Sequence, residues 1–140
     1  MISVSVYIKT IWRDQRGGSE LITTSILMNI WIFLLGVMMS FGLLIYAFLV
    51  TTDSARDGAR HAALNFGTAQ ERVEQSIEEG GLRLENLQAV NEVNDSNYVT
   101  VNVKYLQPSI APMLPILVGG SPWPDQFVID YTTVFKKEKP

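Results

Sequence analysis

Three ionisable side chains near the middle of the chain, those of Asp53, Asp57 and His61, follow one another at intervals of four residues. On a helix this spacing places them on one face, where two carboxylates and an imidazole could transfer protons. The same spacing is typical of charged pairs on a solvated helix. His61 is the only histidine and there is no cysteine, which leaves little material for a metal centre or a nucleophilic site. No second cluster supports catalysis, so we expect neither enzymatic activity nor a cofactor or metal.

The element that carries these residues begins with an apolar run from Leu21 to Thr52, which contains no Asp, Glu, Lys, Arg or His. As a helix at about 1.5 Å per residue it would reach roughly 48 Å, more than the ~30 Å hydrocarbon core of a bilayer. A chain of 140 residues has too little other protein to bury such a rod on all sides. We therefore predict a leader over residues 1–18 and a membrane-spanning helix over residues 19–52.

Basic residues flank the apolar run unequally. Lys9, Arg13 and Arg16 precede it closely, whereas Arg56 and Arg60 follow it. This slight excess on the N-terminal side favours a cytoplasmic N-terminus. A cleaved secretory signal is disfavoured, because the run is about twice the ~7–15 residues that such signals use. The net charge of −3 gives no indication of a nucleic-acid partner.

Small and aromatic residues inside the apolar run suggest contacts. Gly36 and Ser40, four residues apart, could let a second helix approach closely. Such residues are also common in membrane helices without this role, and the sequence leaves both interpretations open. Trp31 and Tyr46 lie roughly 22 Å apart along a helix, a spacing that suits aromatic anchors at the two membrane interfaces.

Residues 53–80 are predicted to continue the same helix outside the membrane. The segment is rich in alanine and its first clear stop is Gly80-Gly81, so one helix of about 60 residues would result. Val73, Ile77 and Phe66 would give its outer half a narrow apolar stripe that another element must cover.

Residues 81–140 have the pattern of a small β domain, with strands expected at 84–93, 98–105 and 127–136. The predicted fold class is therefore α+β, with one long N-terminal helix packed by an antiparallel sheet of about three strands. Alternation places one apolar face on the second strand (Val99, Val101, Val103, Tyr105) and one on the third (Phe127, Ile129, Tyr131, Phe135).

A proline-rich loop over residues 107–125 joins the last two strands and carries many apolar residues, among them Pro112, Leu114 and Leu117. A loop this long in a small domain usually has a function. It could be a lid on the sheet, a surface for a neighbouring subunit, or a patch that touches the outer leaflet. The sequence leaves these three interpretations open.

The order of these pieces resembles the TadE-like pseudopilins, minor components of the tight-adherence (type IVc) pilus system. The resemblance rests on the basic leader ending in Arg16-Gly17-Gly18, the long apolar helix, the segment Ala55-Arg56-Asp57-Gly58-Ala59-Arg60, and the small β region. The family pattern has Glu where this chain has Asp57, and an aromatic residue where it has His61.

The resemblance implies cleavage by a prepilin peptidase after Gly17 or Gly18, so that the mature chain would begin at Gly18 or Ser19. A flexible glycine there would present an extended scissile bond. The family usually has Glu at the fifth mature position, and this chain has Ile22 or Thr23 there instead. Either Glu20 makes this contact with a neighbouring subunit from a shifted register, or this is a subunit with no neighbour to meet there. The second alternative is slightly favoured, because an intramembrane carboxylate is costly and its absence is therefore meaningful.

The function implied is that of a non-enzymatic pseudopilin for assembly or initiation of a pilus in adhesion or secretion. Its expected partners are other pilins or pseudopilins, the assembly platform, the prepilin peptidase and the lipid bilayer. Its expected location is the bacterial cytoplasmic membrane, with the C-terminal domain outside the cytoplasm. The alternative is a membrane-anchored extracytoplasmic binding module that is not processed as a pilin.

Overall fold

The computed structural model describes residues 15–137. Most of the predicted leader and residues 138–140 lie outside the described residues. The elements in chain order are helix α1 (Gln15–Ala63), helix α2 (Ala69–Glu79), strand β1 (Leu87–Asn94), strand β2 (Tyr98–Pro108) and strand β3 (Gln126–Lys136), with short 3₁₀ turns at Leu84–Asn86 and Leu114–Val118. One long helix with a small three-stranded sheet confirms the predicted α+β fold class.

Helix α1 is 49 residues long and unbroken, since its sequence contains no proline. Its segment from Glu20 onward is long and apolar enough to cross a membrane. The hydroxyls of Ser25 and Thr51 donate hydrogen bonds of 2.8 Å to the carbonyl four residues earlier, so these polar groups are satisfied within the helix.

The prediction of one continuous helix through residue 80 is wrong, because α1 ends at Ala63 and the chain turns. Asn65 adopts a left-handed conformation (φ 57°), and the N–H of Phe66 donates to the carbonyl of His61. This is the Schellman arrangement, which uses the last free carbonyls of a helix and ends it. The apolar side chain of Phe66 is exposed in this turn and does not join the predicted stripe.

A second helix then begins with its own cap. Thr68 accepts a hydrogen bond from the backbone N–H of Glu71, and a carboxylate oxygen of Glu92 accepts one from the N–H of Ala69. The Thr-x-x-Glu pattern of residues 68–71 is the sequence signal for this new start. Helix α2 ends at Glu79, and Gly81 adopts a positive φ of 70°, as the Gly-Gly stop predicts.

Helix α2 folds back along α1, so the two form an antiparallel hairpin. The start of α2 lies against Gly58, and Gly80 lies against Val50. Val73 and Ile77 are fully buried, which confirms the predicted apolar stripe at these two positions.

The sheet has the order β1-β2-β3 with antiparallel neighbours, so β2 is the central strand. The face predicted for β2 is confirmed, since Val99, Val101, Val103 and Tyr105 are all buried. On β3, Ile129 is buried, whereas Phe135 at the far end is exposed. Strand β1 begins at Leu87 and not at residue 84, because a 3₁₀ turn precedes it.

The sheet rests on the C-terminal part of α1, whose buried positions are small. Ala47, Ala55 and Ala59 are completely covered, and the rings of Phe48 and Tyr131 meet edge to face at 6.4 Å. The boundary predicted at residue 52 between the spanning segment and the domain stays a prediction, although packing against the domain begins before it. From about Leu44 onward, one side of α1 belongs to the core of the domain.

Candidate functional site

The segment Ala55–Arg60 forms part of the contact between α1 and α2 in the helix hairpin. Its small residues Ala55, Gly58 and Ala59 are buried, while Arg56 and Arg60 point to solvent. A Cβ at Gly58 would lie 2.5 Å from Cγ2 of Val73 and 3.0 Å from the carbonyl oxygen of Ala69. Only a residue without a side chain lets α2 approach α1 this closely. The part of the chain that most resembles the pseudopilin pattern thus has a packing role.

The acidic residue of this segment, Asp57, is held by α2. A guanidinium nitrogen of Arg72 lies 3.0 Å from its carboxylate, and the hydroxyl of Ser76 donates to the same oxygen at 3.4 Å. Asp53 instead pairs with Arg56 at 3.6 Å, between two well-exposed side chains. No local sequence pattern indicated a partner for Asp57 outside its own helix, because Arg72 approaches Asp57 only after the chain has turned back.

A crevice of about 230 Å³ separates the two helices at this level. It is lined by Val50, Asp53, Ser54, Asp57, Ser76, Glu79 and Gly80. Arg72 also lies 3.9 Å from Glu79, so Asp57 and Glu79 share this one cation. Among residues 15–137, no group of three or more His, Cys, Asp or Glu side chains has an arrangement that could hold a metal ion.

His61 does not join the carboxylates that the sequence places on its face. Its ring lies 5.9 Å from the ring of Phe66, and its Nδ1 atom is buried without a hydrogen-bond partner. The turn after α1 places Phe66 beside His61, whereas Asp57 forms an ion pair with Arg72. The spacing that suggested proton transfer therefore gives two separate environments.

The residues predicted at the cleavage site lie in the first turns of α1. Gly17, Gly18 and Ser19 have helical backbone, so the expected extended scissile bond is not the conformation observed. The preceding residues 1–14 lie outside the described residues. Glu20 is exposed, close to the start of the helix. Cleavage after either glycine would require the first turn of α1 to unwind.

Gly36 and Ser40, predicted to receive another helix, face the chain's own loop. A Cβ at Gly36 would lie 2.7 Å from Cδ1 of Leu114, so the absence of a side chain at Gly36 makes room for Leu114. Ser40 lines an apolar crevice of about 130 Å³ together with Phe41, Leu44, Trp123 and Phe127. Contact between Gly36 and a second helix stays a prediction. In the structure, Leu114 already covers this face of α1.

Tyr46, predicted as a membrane-interface anchor, takes part in the fold of the domain. Its hydroxyl donates a hydrogen bond of 2.6 Å to the carbonyl of Gly80, just after α2. Tyr46 therefore fixes the end of the hairpin against α1. Trp31 is exposed, within the part of α1 that no other described element covers.

The side of α1 that faces away from the sheet carries an apolar row that the sequence analysis did not single out. We call it the outward stripe, and it consists of Trp31, Leu35, Met38, Gly42, Ile45 and Leu49. Its large members are exposed, and a Cβ at Gly42 would meet nothing within 4 Å. Its residues follow at intervals of four and three, which is the spacing of helix–helix seams. Because almost every residue of the apolar run is apolar, the sequence pattern alone does not identify this row, and its exposure opposite the sheet does.

The proline-rich loop folds into a short 3₁₀ turn at Leu114–Val118. Pro115 is buried beneath the turn, whereas Met113, Ile116 and Leu117 are exposed. Of the three predicted contact residues, Leu117 is thus free at the surface, Leu114 is seated on α1, and Pro112 accepts a backbone hydrogen bond from Trp123. The loop packs on α1 through Leu114 and on the start of β3 through Trp123, whose ring lies 6.5 Å from that of Phe127.

Comparisons with protein-family models, curated proteins and solved structures give no match.

Proposed function

We propose that this protein is a non-enzymatic, membrane-anchored pseudopilin that takes part in assembly or initiation of a Tad (type IVc) pilus, in adhesion or secretion. Its partners would be other pilins or pseudopilins and the assembly platform, and a prepilin peptidase would process it. The sequence resemblance suggests the family. The geometry of α1 supports the proposal independently.

The observation that carries the proposal is an apolar helix surface that is longer than a bilayer is thick. If Glu20 lies at the inner edge of the hydrocarbon, roughly 20 helical residues cross it, and the outer edge falls near Ser40. Ile45 and Leu49 then lie about 7–14 Å beyond the hydrocarbon. Their side chains are nevertheless 56% and 54% exposed. Apolar residues in such a continuous row outside the membrane call for a protein neighbour.

The shape of this surface suits another helix. The outward stripe repeats every three and four residues, so it would stay in register with a neighbouring helix over several turns. Gly42 lies at its centre and offers a point of close approach. The domain covers only the opposite side of α1, and a subunit that joined a bundle of such helices would keep its domain at the periphery.

A non-enzymatic role agrees with the surroundings of the ionisable residues. Asp57 forms an ion pair with Arg72, and the imidazole of His61 contacts Phe66. These groups do not converge on one reacting atom, as general acid–base catalysis requires. Alanine at His61 should accordingly leave function unaffected.

Deletion of the gene followed by complementation tests the proposal. The deletion strain should lack pili, and the wild-type gene should restore them. Ile45→Asp, in the outward stripe, should fail to restore pili although the protein inserts and folds. Val93→Asp is the matched control, because Val93 is 63% exposed at the distant end of β1. Normal pili in the deletion strain would overturn the proposal, and full complementation by Ile45→Asp would remove its supporting observation.

An unprocessed membrane-anchored binding module is the competing function. It predicts a soluble extracytoplasmic fragment that folds and binds a partner. The sequence suggests that such a fragment would begin at Asp53. In the structure it must begin earlier, because Ala47, Phe48 and Thr51 belong to the interface between α1 and the rest of the domain. It must begin near residue 43, where it still carries Ile45 and Leu49 on its surface.

A further inference from the structure

The loop between β2 and β3 presents an apolar, uncharged tip. Residues 105–124 contain no Asp, Glu, Lys, Arg or His. The exposed side chains of the tip are Ile110, Met113, Ile116, Leu117 and Val118. An apolar patch of this kind on a small domain marks a contact surface.

The position of the tip along α1 indicates what it contacts. Leu114 lies against Gly36, which is about 24 Å along the helix from Glu20 and so within the ~30 Å hydrocarbon thickness. Trp123 and Phe127 lie beside Ser40 and Leu44, near the outer edge. The tip is therefore level with the outer leaflet that surrounds α1.

Part of the polar backbone of the tip is satisfied within the loop. Five prolines in residues 107–125 have no N–H group to satisfy. Six other N–H groups donate to carbonyls of the same segment or its base: those of Ser109, Leu114, Ile116, Gly119, Gly120 and Trp123. Each N–H group paired in this way lowers the cost of bringing irregular backbone into a membrane interface.

Charged residues begin where the tip ends. Asp125 stands at the base of the loop, where its carbonyl accepts a hydrogen bond from Ser109, and Lys104 and Asp130 face one another on the neighbouring strands. Strand β3 runs from Phe127 beside Leu44 toward Tyr131 beside Phe48, away from the tip. The charged part of the domain thus lies on the aqueous side and the uncharged tip on the bilayer side.

We propose that the tip of the 107–125 loop inserts among the lipids of the outer leaflet and forms a second membrane contact beside α1. Two contacts would hold the domain against the bilayer at a defined height and orientation. This inference requires that α1 spans a membrane with Glu20 near the inner edge of the hydrocarbon, and it does not depend on the pseudopilin proposal.

Site-directed spin labelling of the full chain tests this inference, and the natural absence of cysteine allows single labels. Leu117→Cys and Met113→Cys place labels at two exposed positions of the tip, 54% and 66% exposed. Val93→Cys, at the opposite end of the sheet, is the matched aqueous control. The labelled proteins are reconstituted in vesicles of phosphatidylethanolamine with a minor fraction of phosphatidylglycerol.

Collision of each label with oxygen, which enters hydrocarbon, is compared with collision with a polar nickel chelate, which does not. The ratio of the two should be about tenfold higher at the tip than at Val93, because transfer of a polar solute into hydrocarbon is unfavourable. A ratio at both tip positions equal to that at Val93 would overturn the inference. Protection from both reagents that disappears on dilution with lipid would indicate a second copy of the chain on the tip and would also overturn it.

Discussion

Substitution of Gly58 by valine should loosen the helix hairpin. Three heavy atoms would enter a space where even a Cβ lies 2.5 Å from Val73, a fully buried β-branched side chain with little freedom to move. Overpacking of this kind costs roughly 1–3 kcal/mol, and here the upper part of that range applies because backbone also lies within 3.0 Å. Valine has a higher helix propensity than glycine, but this offsets only about 0.3 kcal/mol of the destabilisation.

The net loss of about 2 kcal/mol should appear as easier opening of α2. Hydrogen exchange of the amide groups in Ala69–Glu79, followed by mass spectrometry, measures this opening directly. A loss of ~2 kcal/mol corresponds to roughly 30-fold faster exchange. Peptides from the exposed N-terminal half of α1 should exchange at unchanged rates, because that half does not contact α2.

Gly42→Val is the matched control, since Gly42 lies in the same helix and a Cβ there would meet nothing within 4 Å. It should leave exchange in α2 at the wild-type rate. Unchanged exchange in Gly58→Val would refute the argument that the small residue at this position sets the distance between the helices.

Two further changes test the same hairpin. Tyr46→Phe removes a hydrogen bond to the backbone at the end of α2 and should destabilise the last turn of α2 by about 1 kcal/mol, measured by the same exchange experiment. Asp57→Asn removes the charge that pairs with Arg72. Because both side chains are partly exposed, the loss of unfolding free energy should stay below roughly 1 kcal/mol and should shrink at high salt. Thermal unfolding measures this loss. A loss of several kcal/mol would contradict the exposed character of this pair.

Local patterns of the sequence predicted the elements and their buried faces. The alternation in β2 identified all four buried residues, because a strand has only two faces and the apolar one must meet the core. The long apolar run identified α1, and Gly80-Gly81 identified the end of α2. Each of these signals lies within a few consecutive residues.

The errors arose where capping or tertiary contact decides the structure. The turn after Ala63 depends on Asn65, which adopts a left-handed conformation. The alanine-rich segment before it favours a helix, so the sequence was interpreted as a continuous helix through this position. The partner of Asp57 is Arg72, 15 residues away, and becomes adjacent only once the hairpin closes. The contact of Leu114 with Gly36 spans the chain from the first helix to the last loop, and no local pattern encodes it.

The central claim, that this chain is a processed pseudopilin, is tested most directly by the N-terminal residue and mass of the protein purified from its native membrane. Our account predicts a mature chain that begins at Gly18 or Ser19, with cleavage after Gly17 or Gly18. A chain that still begins at Met1 would contradict prepilin-type processing and would favour the unprocessed binding module.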